Sequence, residues 1–279
     1  MSPHRSSASG ELVGLGLLEA RVRGLILDVD GVLWKDSQPI GDLAAIFAAI
    51  SAMQLRVTIA TNNAMKTVDE YRAKLRGFGV VLEPWQIITS AEATADTLAA
   101  AFPNRGALFV VGEQGLVQAL DRRGFEVLTD ARADGTFAAV VAGIDRELSY
   151  PKLQKAATLI RDGAPFYGTN PDATFPTPDG LVPGAGSVLA AIATASDRQP
   201  IVVGKPAPLL FEIAARRMEL TPDSLLVVGD RLETDVKGGQ AFGARTALVL
   251  SGVSTPEQAR AWRPAPTLIV PSLSALIGV

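Results

Sequence analysis

The segment Leu25-Ile-Leu-Asp-Val-Asp-Gly-Val-Leu33 constrains this chain more than any other. Its apolar start reads as a buried strand, and side chains two apart on a strand share a face. Asp28 and Asp30 therefore arrive together at the C-terminal tip of that strand, where open parallel sheets bind ligands. Two acids at one sheet edge suggest a hard cation and a reaction that needs a nucleophile beside a proton donor.

The 279 residues, 48% hydrophobic and 20% charged, predict a folded protein with a large core. A formal net charge of -3 argues against a nucleic-acid partner, which would need a basic face. Cysteine is absent, which excludes disulfides and thiolate metal sites and fits a reducing, cytoplasmic setting. No segment is long and apolar enough to span a bilayer, so no membrane partner is expected. The apolar stretch Leu12–Leu18 is short, flanked by Glu11 and Glu19, and followed by no small-residue cleavage site. Residues 1–21 read as a tail, Met1–Gly10, and a short leading helix, Glu11–Arg21. The single histidine, His4, falls in that tail, so carboxylates must carry any proton chemistry.

Strand-like runs alternate with amphipathic stretches from end to end. Leu25–Asp28, Arg56–Thr61, Ala107–Val111, Ala138–Ala142, Ile201–Val203, Leu225–Val228, Thr246–Leu250 and Thr267–Val270 read as strands. Between them, Ile40–Met53, Thr67–Phe78, Ser90–Ala101, Tyr150–Arg161, Pro208–Met218 and Thr255–Arg260 read as helices. The alternation predicts an α/β fold with mainly parallel sheets.

Polar signals close four of the strands: Asp28/Asp30, Thr61-Asn62-Asn63, Gly204-Lys205-Pro206 and Gly229-Asp230. The interval from Asn63 to Lys205 far exceeds a crossover helix and contains elements of its own. It predicts an inserted domain at 83–183, bounded by Glu83-Pro84 and Val182-Pro183-Gly184. Residues 22–82 and 184–279 would then form one core domain. On a single parallel sheet the four tips share an edge, so three carboxylates, one ammonium and the Thr61 hydroxyl would meet. Each like-charge pair at about 4 Å costs roughly 4 kcal/mol at an effective dielectric near 20, so the cluster calls for a cation. An all-oxygen donor set favours Mg²⁺. Lys205 and Mg²⁺ would together suit a phosphate dianion, with Thr61 and the backbone N–H groups after it holding other oxygens. Asp235 reads as a helix cap or a partner supporting the ligands.

These motifs, with Gly143-Ile-Asp-Arg-Glu-Leu-Ser-Tyr150, Tyr167-Gly-Thr-Asn-Pro-Asp172, Pro183-Gly-Ala-Gly-Ser187 and Val249-Leu-Ser-Gly-Val-Ser254, resemble the haloacid dehalogenase superfamily. The fuller pattern, from about Arg23 to the C-terminus, is similar to its subclass IIA, the NagD-like and 4-nitrophenylphosphatase-like branch. The resemblance implies a doubly wound, Rossmann-like core with an inserted α/β type-two cap. It implies a Mg²⁺-dependent phosphatase acting on small phosphate monoesters. Asp28 would be the nucleophile and Asp30 the acid and base. Asp28, the Asp30 carbonyl and Asp230 would hold the metal. Thr61, Asn62 and Lys205 would bind the phosphoryl group, with Asp235 supporting. Asn170, Asp172 and the Thr174–Gly180 loop are the cap candidates for facing the leaving group. Trp34 would line the entrance or pack beneath a flap. Many relatives pair through the cap, so a homodimer is compatible.

Two other readings differ in observable ways. A Rossmann oxidoreductase would need Gly-x-Gly-x-x-Gly after the first strand, where Asp-Val-Asp-Gly stands. A non-catalytic phosphate- or sugar-binding regulator would not need the second acid, Asp30.

Overall fold

The computed structural model describes residues 22–279 apart from Asp36, Pro178 and Asp179. The expected tail, leading helix and His4 lie outside the described residues.

The strands are, in chain order, β1 (Gly24–Leu27), β2 (Trp34–Lys35), β3 (Gln38–Pro39), β4 (Arg56–Thr61) and β5 (Ile87–Thr89). There follow β6 (Ala107–Val111), β7 (Glu126–Leu128), β8 (Phe137–Ala142), β9 (Phe166–Gly168), β10 (Thr174–Thr177) and β11 (Gly180–Pro183). The last four are β12 (Ile201–Val202), β13 (Leu225–Gly229), β14 (Arg245–Val249) and β15 (Leu268–Val270). A six-stranded parallel sheet has the order β15-β14-β13-β1-β4-β5, and a five-stranded parallel sheet has the order β12-β9-β8-β6-β7. β10 and β11 form an antiparallel hairpin, and β2 and β3 a small flap.

The central strands of both large sheets are buried on both faces, as crossover connections require. On β1 the alternation is direct: Leu25 and Leu27 enter a core shared with the helices Leu43–Ala52, Val68–Gly77 and Leu273–Ile277. Ile26 faces the opposite way, against Leu210, Phe211, Ile213 and Met218 of the helix Leu209–Met218. The second sheet repeats the pattern. Leu108 and Val110 pack under the helices Ser90–Ala101 and Gln114–Asp121, whereas Phe109 and Val111 meet Tyr150–Arg161 and Ala185–Ser196. The doubly wound α/β architecture expected from the sequence is therefore the one observed. Among the described residues no helix is long and apolar enough to cross a membrane.

Sheet membership moves the two breaks expected at 83 and 183. Glu83-Pro84 opens a short 3₁₀ turn that leads into β5, which is still part of the six-stranded sheet. Val182-Pro183 ends β11, and Gly184 caps the helix Ala185–Ser196, whose Val188, Leu189 and Ile192 pack on the second sheet. Proline and glycine punctuate both places, but they end elements there rather than mark linkers. The elements of the second unit run from Ser90 to Val202. This places β12, the strand that leads to Lys205, in the second sheet and not on the single edge expected from the sequence.

Candidate active site

Asp28 directly follows β1 and closes its last rung, its N–H donating to the Val228 carbonyl at 2.8 Å. The chain then turns sharply. Leu33 N–H donates to the Val29 carbonyl at 2.8 Å, and Gly31 N–H to the Trp34 carbonyl at 2.8 Å. Gly31 has φ of +82°, a conformation glycine adopts at no steric cost, and a Cβ there would overlap the Asp230 carboxylate. The turn returns Trp34 beneath Asp30, and the indole Nε1–H donates to Asp30 Oδ1 at 3.1 Å. Asp30 opens onto a cavity, yet the protein atoms around it disfavour its charge. Its pKa is raised by that desolvation, against the pull of Lys74, the Trp34 hydrogen bond, Lys66 and Lys205.

Lys205 crosses to Asp28 from the second sheet. Its buried ammonium lies 2.7 Å from Asp28 Oδ1 and 2.6 Å from Asp235 Oδ1, and donates to the Ala60 carbonyl at 3.1 Å. Burial alone would lower its pKa, but Asp235 and Asp28 outweigh burial and hold it charged well above the ordinary lysine range. Asp28 is raised well above the ordinary carboxylate value by burial and by the Asp235 charge, with Lys205 opposing.

Asp235 sits in a π-helical turn, Leu232–Val236, which swings its carboxylate back toward the sheet edge. Its Oδ2 accepts from the Arg231 N–H at 3.1 Å, so ammonium and backbone occupy both of its oxygens. Asp230 differs. Its Oδ2 accepts from the Val253 N–H at 2.8 Å, while its buried Oδ1 has no hydrogen-bond partner among the described residues. Gly31 and Gly252 cradle this carboxylate, and a Cβ on either would collide with it. Oxygens of Asp28, Asp230 and Asp235 lie within 4.8 Å of one another. Burial and the Asp235 charge push the Asp230 carboxyl up to about 6. Three carboxylates against one ammonium, with one buried oxygen orphaned, fit a hard divalent cation such as Mg²⁺.

Thr61 ends β4 and is buried, with its Oγ1 accepting from the Asn63 N–H at 3.2 Å. Asn63 Oδ1 in turn accepts from the Met65 N–H at 2.9 Å, so part of the loop's N–H supply is used internally. The side chain of Asn62 clasps the Lys205 backbone from both sides. It accepts from Lys205 N–H at 2.8 Å and donates to the Lys205 carbonyl at 3.0 Å. It also donates to Asp172 Oδ2 at 3.2 Å. Asn170 donates to the Asn62 carbonyl at 2.7 Å and accepts from the Asp172 N–H at 3.1 Å. The two cap candidates thus tie the second unit to the phosphate-side loop. Asp172 has its pKa raised by burial, with Asn62 opposing.

Two cavities meet at Asp30, Asn63, Phe175 and Arg231. The smaller, about 60 Å³, holds Asp28, Thr61, Lys205 and Asp172, with room for only a few water-sized atoms. The larger, about 450 Å³, extends past Trp34, Tyr71, Lys66 and Lys74 to the β10–β11 hairpin, which contributes Phe175 and Thr177. Phe175 and Thr177 belong to the Thr174–Gly180 segment expected to face the leaving group, whereas sequence reasoning does not single out Arg231 or Tyr71. Tyr71 is buried and hydrogen-bonded to the Thr61 side chain, and its phenol is raised, by burial first and then by Asp30. The only sequence trace of this role is its place with Val68 and Leu75 on the buried face of one helix.

A family model described as haloacid dehalogenase-like hydrolase matches residues 25–126, and an HAD-hydrolase-like model matches residues 202–276. Dihydroxyacetone phosphatase of Corynebacterium glutamicum is 36% identical over 251 residues, covering 90% of this chain and 89% of that protein. The chain therefore belongs to the haloacid dehalogenase-like hydrolases. The crystal structure of 4-nitrophenylphosphatase from Thermotoga maritima aligns with a TM-score of 0.86 at 31% identity, covering 94% of this chain and 98% of that one. NagD from Escherichia coli K-12 aligns with a TM-score of 0.83 at 32% identity, covering 91% and 97%. Within the family, the chain is of the NagD-like branch, subclass IIA.

Proposed function

We propose that this protein is a Mg²⁺-dependent phosphatase of small phosphorylated metabolites, working through an aspartyl-phosphate on Asp28. One observation carries the reading. Lys205 bridges Asp28 and Asp235 at 2.7 and 2.6 Å, in a carboxylate cluster that includes an Asp230 oxygen with no hydrogen-bond partner among the described residues. A nucleophile and a countercharge, Asp28 and Lys205, line the cavity of about 60 Å³, and Asp230 lines the adjoining cavity of about 450 Å³.

In the first step an Asp28 oxygen attacks phosphorus. The bond to the leaving oxygen breaks, and Asp30 supplies the proton that oxygen needs. In the second step Asp30 takes a proton from water as the water attacks the phosphoryl group, and Asp28 is released. Lys205 balances phosphoryl charge, and Asp235 keeps Lys205 in place. Thr61 and the Asn62 backbone N–H bind phosphoryl oxygens; the Asn62 amide is already committed to Lys205. Asp28, Asp230 and the Asp30 carbonyl would hold Mg²⁺, which when bound supplies further charge neutralisation at the phosphoryl group. The leaving group occupies the larger cavity, since Asp30 borders both. Asp172 and Asn170 close the cap side of the smaller one.

The named relative acts on dihydroxyacetone phosphate by its description. A leaving group of that size fits the cavity of about 450 Å³ with space to spare. We also infer a cytoplasmic location from the cysteine-free composition, and a homodimer from the resemblance. The test is phosphate release from 4-nitrophenyl phosphate and a metabolite panel, with Mg²⁺ and with EDTA. Uncatalysed phosphate monoester hydrolysis is so slow that enhancements reach ~10²¹, so loss of the nucleophile should be total. Asp28→Asn should abolish release; a tenth of the activity remaining would remove Asp28 as nucleophile.

A further inference from the structure

We propose that Trp34 is a positioning residue for the general acid, setting which esters the enzyme can cleave. The inference rests on the phosphatase reading above and adds a residue outside the motifs that reading uses.

The geometry is specific. Trp34 is only 3% exposed, and its one polar side-chain atom, Nε1, donates to Asp30 Oδ1 at 3.1 Å. An indole N–H is donor only, so this bond leaves Asp30 one carboxyl oxygen to turn toward the substrate. The indole is fixed on several sides. Tyr71 stacks on it with ring centroids 6.2 Å apart and planes at 18°, and Phe78 lies at 6.0 Å. Lys74 Nζ sits 4.1 Å from the ring centroid. Behind Trp34, its carbonyl accepts the Gly31 N–H, so the same residue also closes the turn that carries Asp30. Tyr71, in contact with Trp34, is hydrogen-bonded to Thr61. The acid and the phosphate-side hydroxyl are thereby referenced to one rigid aromatic pair. Side chains held this way keep catalytic groups within the narrow tolerance that proton transfer needs.

Orientation of the acid matters only where the leaving oxygen must be protonated. As P–O breaks, Asp30 gives its proton to an alkoxide, which is too basic to depart alone. A 4-nitrophenolate departs as the anion. Loss of the Trp34 hydrogen bond therefore penalises alkyl esters selectively, in the constant that covers formation of the phosphoenzyme.

The test compares Trp34→Phe with the unaltered protein on glycerol 3-phosphate and 4-nitrophenyl phosphate, both with Mg²⁺. Phenylalanine keeps a ring against Tyr71 and removes the N–H. General acid catalysis contributes about 10²–10⁴-fold, so misdirecting the acid should lower kcat/KM for glycerol 3-phosphate about tenfold or more. For 4-nitrophenyl phosphate it should change by less than about twofold, because no proton is needed there. Should Trp34→Phe fail to fold, as read by circular dichroism, benzothienylalanine at position 34 retains the full ring with sulfur in place of N–H and carries the same expectation. An equal loss on both esters, or no loss on either, overturns the proposal. Absence of Mg²⁺-dependent release from 4-nitrophenyl phosphate by the unaltered protein would instead overturn the phosphatase reading.

Discussion

Replacing Lys205 by methionine tests the charge balance of the site. The substitution keeps most of the aliphatic stem and deletes the ammonium, leaving Asp28 and Asp235 facing each other in a buried pocket. Their oxygens lie within 4.8 Å, so at an effective dielectric near 20 the exposed repulsion is about 3.5 kcal/mol. Stripping one member from a buried ion pair costs roughly 3–5 kcal/mol in general, which agrees. For a chain of this length that corresponds to a fall in Tm on the order of 10 °C. The assay is thermal denaturation of both proteins in EDTA, at pH 8 and again at pH 5. Asp28 already has a raised pKa, so at pH 5 a proton can replace the lost ammonium and the deficit should shrink. Equal stability at pH 8, or a deficit of the same size at both pH values, would refute the electrostatic argument.

Two further outcomes follow from the Asp230 corner. Gly252→Ala places a Cβ on the Asp230 carboxylate, so the Mg²⁺ concentration for half-maximal activity should rise about tenfold or more, equivalent to about 1.4 kcal/mol. Gly77→Ala, where a Cβ meets nothing within 4 Å, should leave it unchanged. The metal-free protein should lose stability as pH rises from 3.8 to about 6, because folded Asp230 holds its proton across that window and the unfolded chain does not. The shift sets a ceiling of about 3 kcal/mol; guanidinium titrations with EDTA at pH 4 and 7 would check it, and a rise in stability across the window would contradict the sign.

Local pattern carried the regular elements well. Arg56–Thr61, rich in β-branched residues, and Ala107–Val111, a continuous apolar run, emerge with the expected bounds, as does Tyr150–Arg161, capped by Ser149 with proline in its first turn. The short strands β5 and β9 are not read as strands in the sequence, and β10–β11 reads as loop because proline interrupts it. The meeting of Asp28, Lys205 and Asp230 was legible because each closes or follows an apolar run, whereas Asp235 was readable only as a cap or supporting partner. What the motifs could not convey was non-local. Ile201–Val202 pairs with Tyr167–Gly168 through hydrogen bonds between segments more than thirty residues apart, so its sheet was not readable. The Asn62 clasp on Lys205 and the Trp34 bond to Asp30 depend on side-chain direction, which residue spacing leaves open.

Lys205 is leashed at one end and clasped at the other. Val203 and Gly204 still bond to Gly168 and Thr169 at the end of β9, and the next residue is gripped by Asn62 from the six-stranded sheet. No residue separates the Gly204 bond to the second sheet from the Asn62 grip on Lys205, and consecutive Cα atoms lie only about 3.8 Å apart. Any parting of the two sheets at this point must therefore break either the Gly204 bond to Thr169 or the Asn62 clasp on Lys205. The joint between the sheets and the charge balance at the nucleophile thus share one residue, because the backbone that Asn62 holds is the one that carries the ammonium to Asp28 and Asp235.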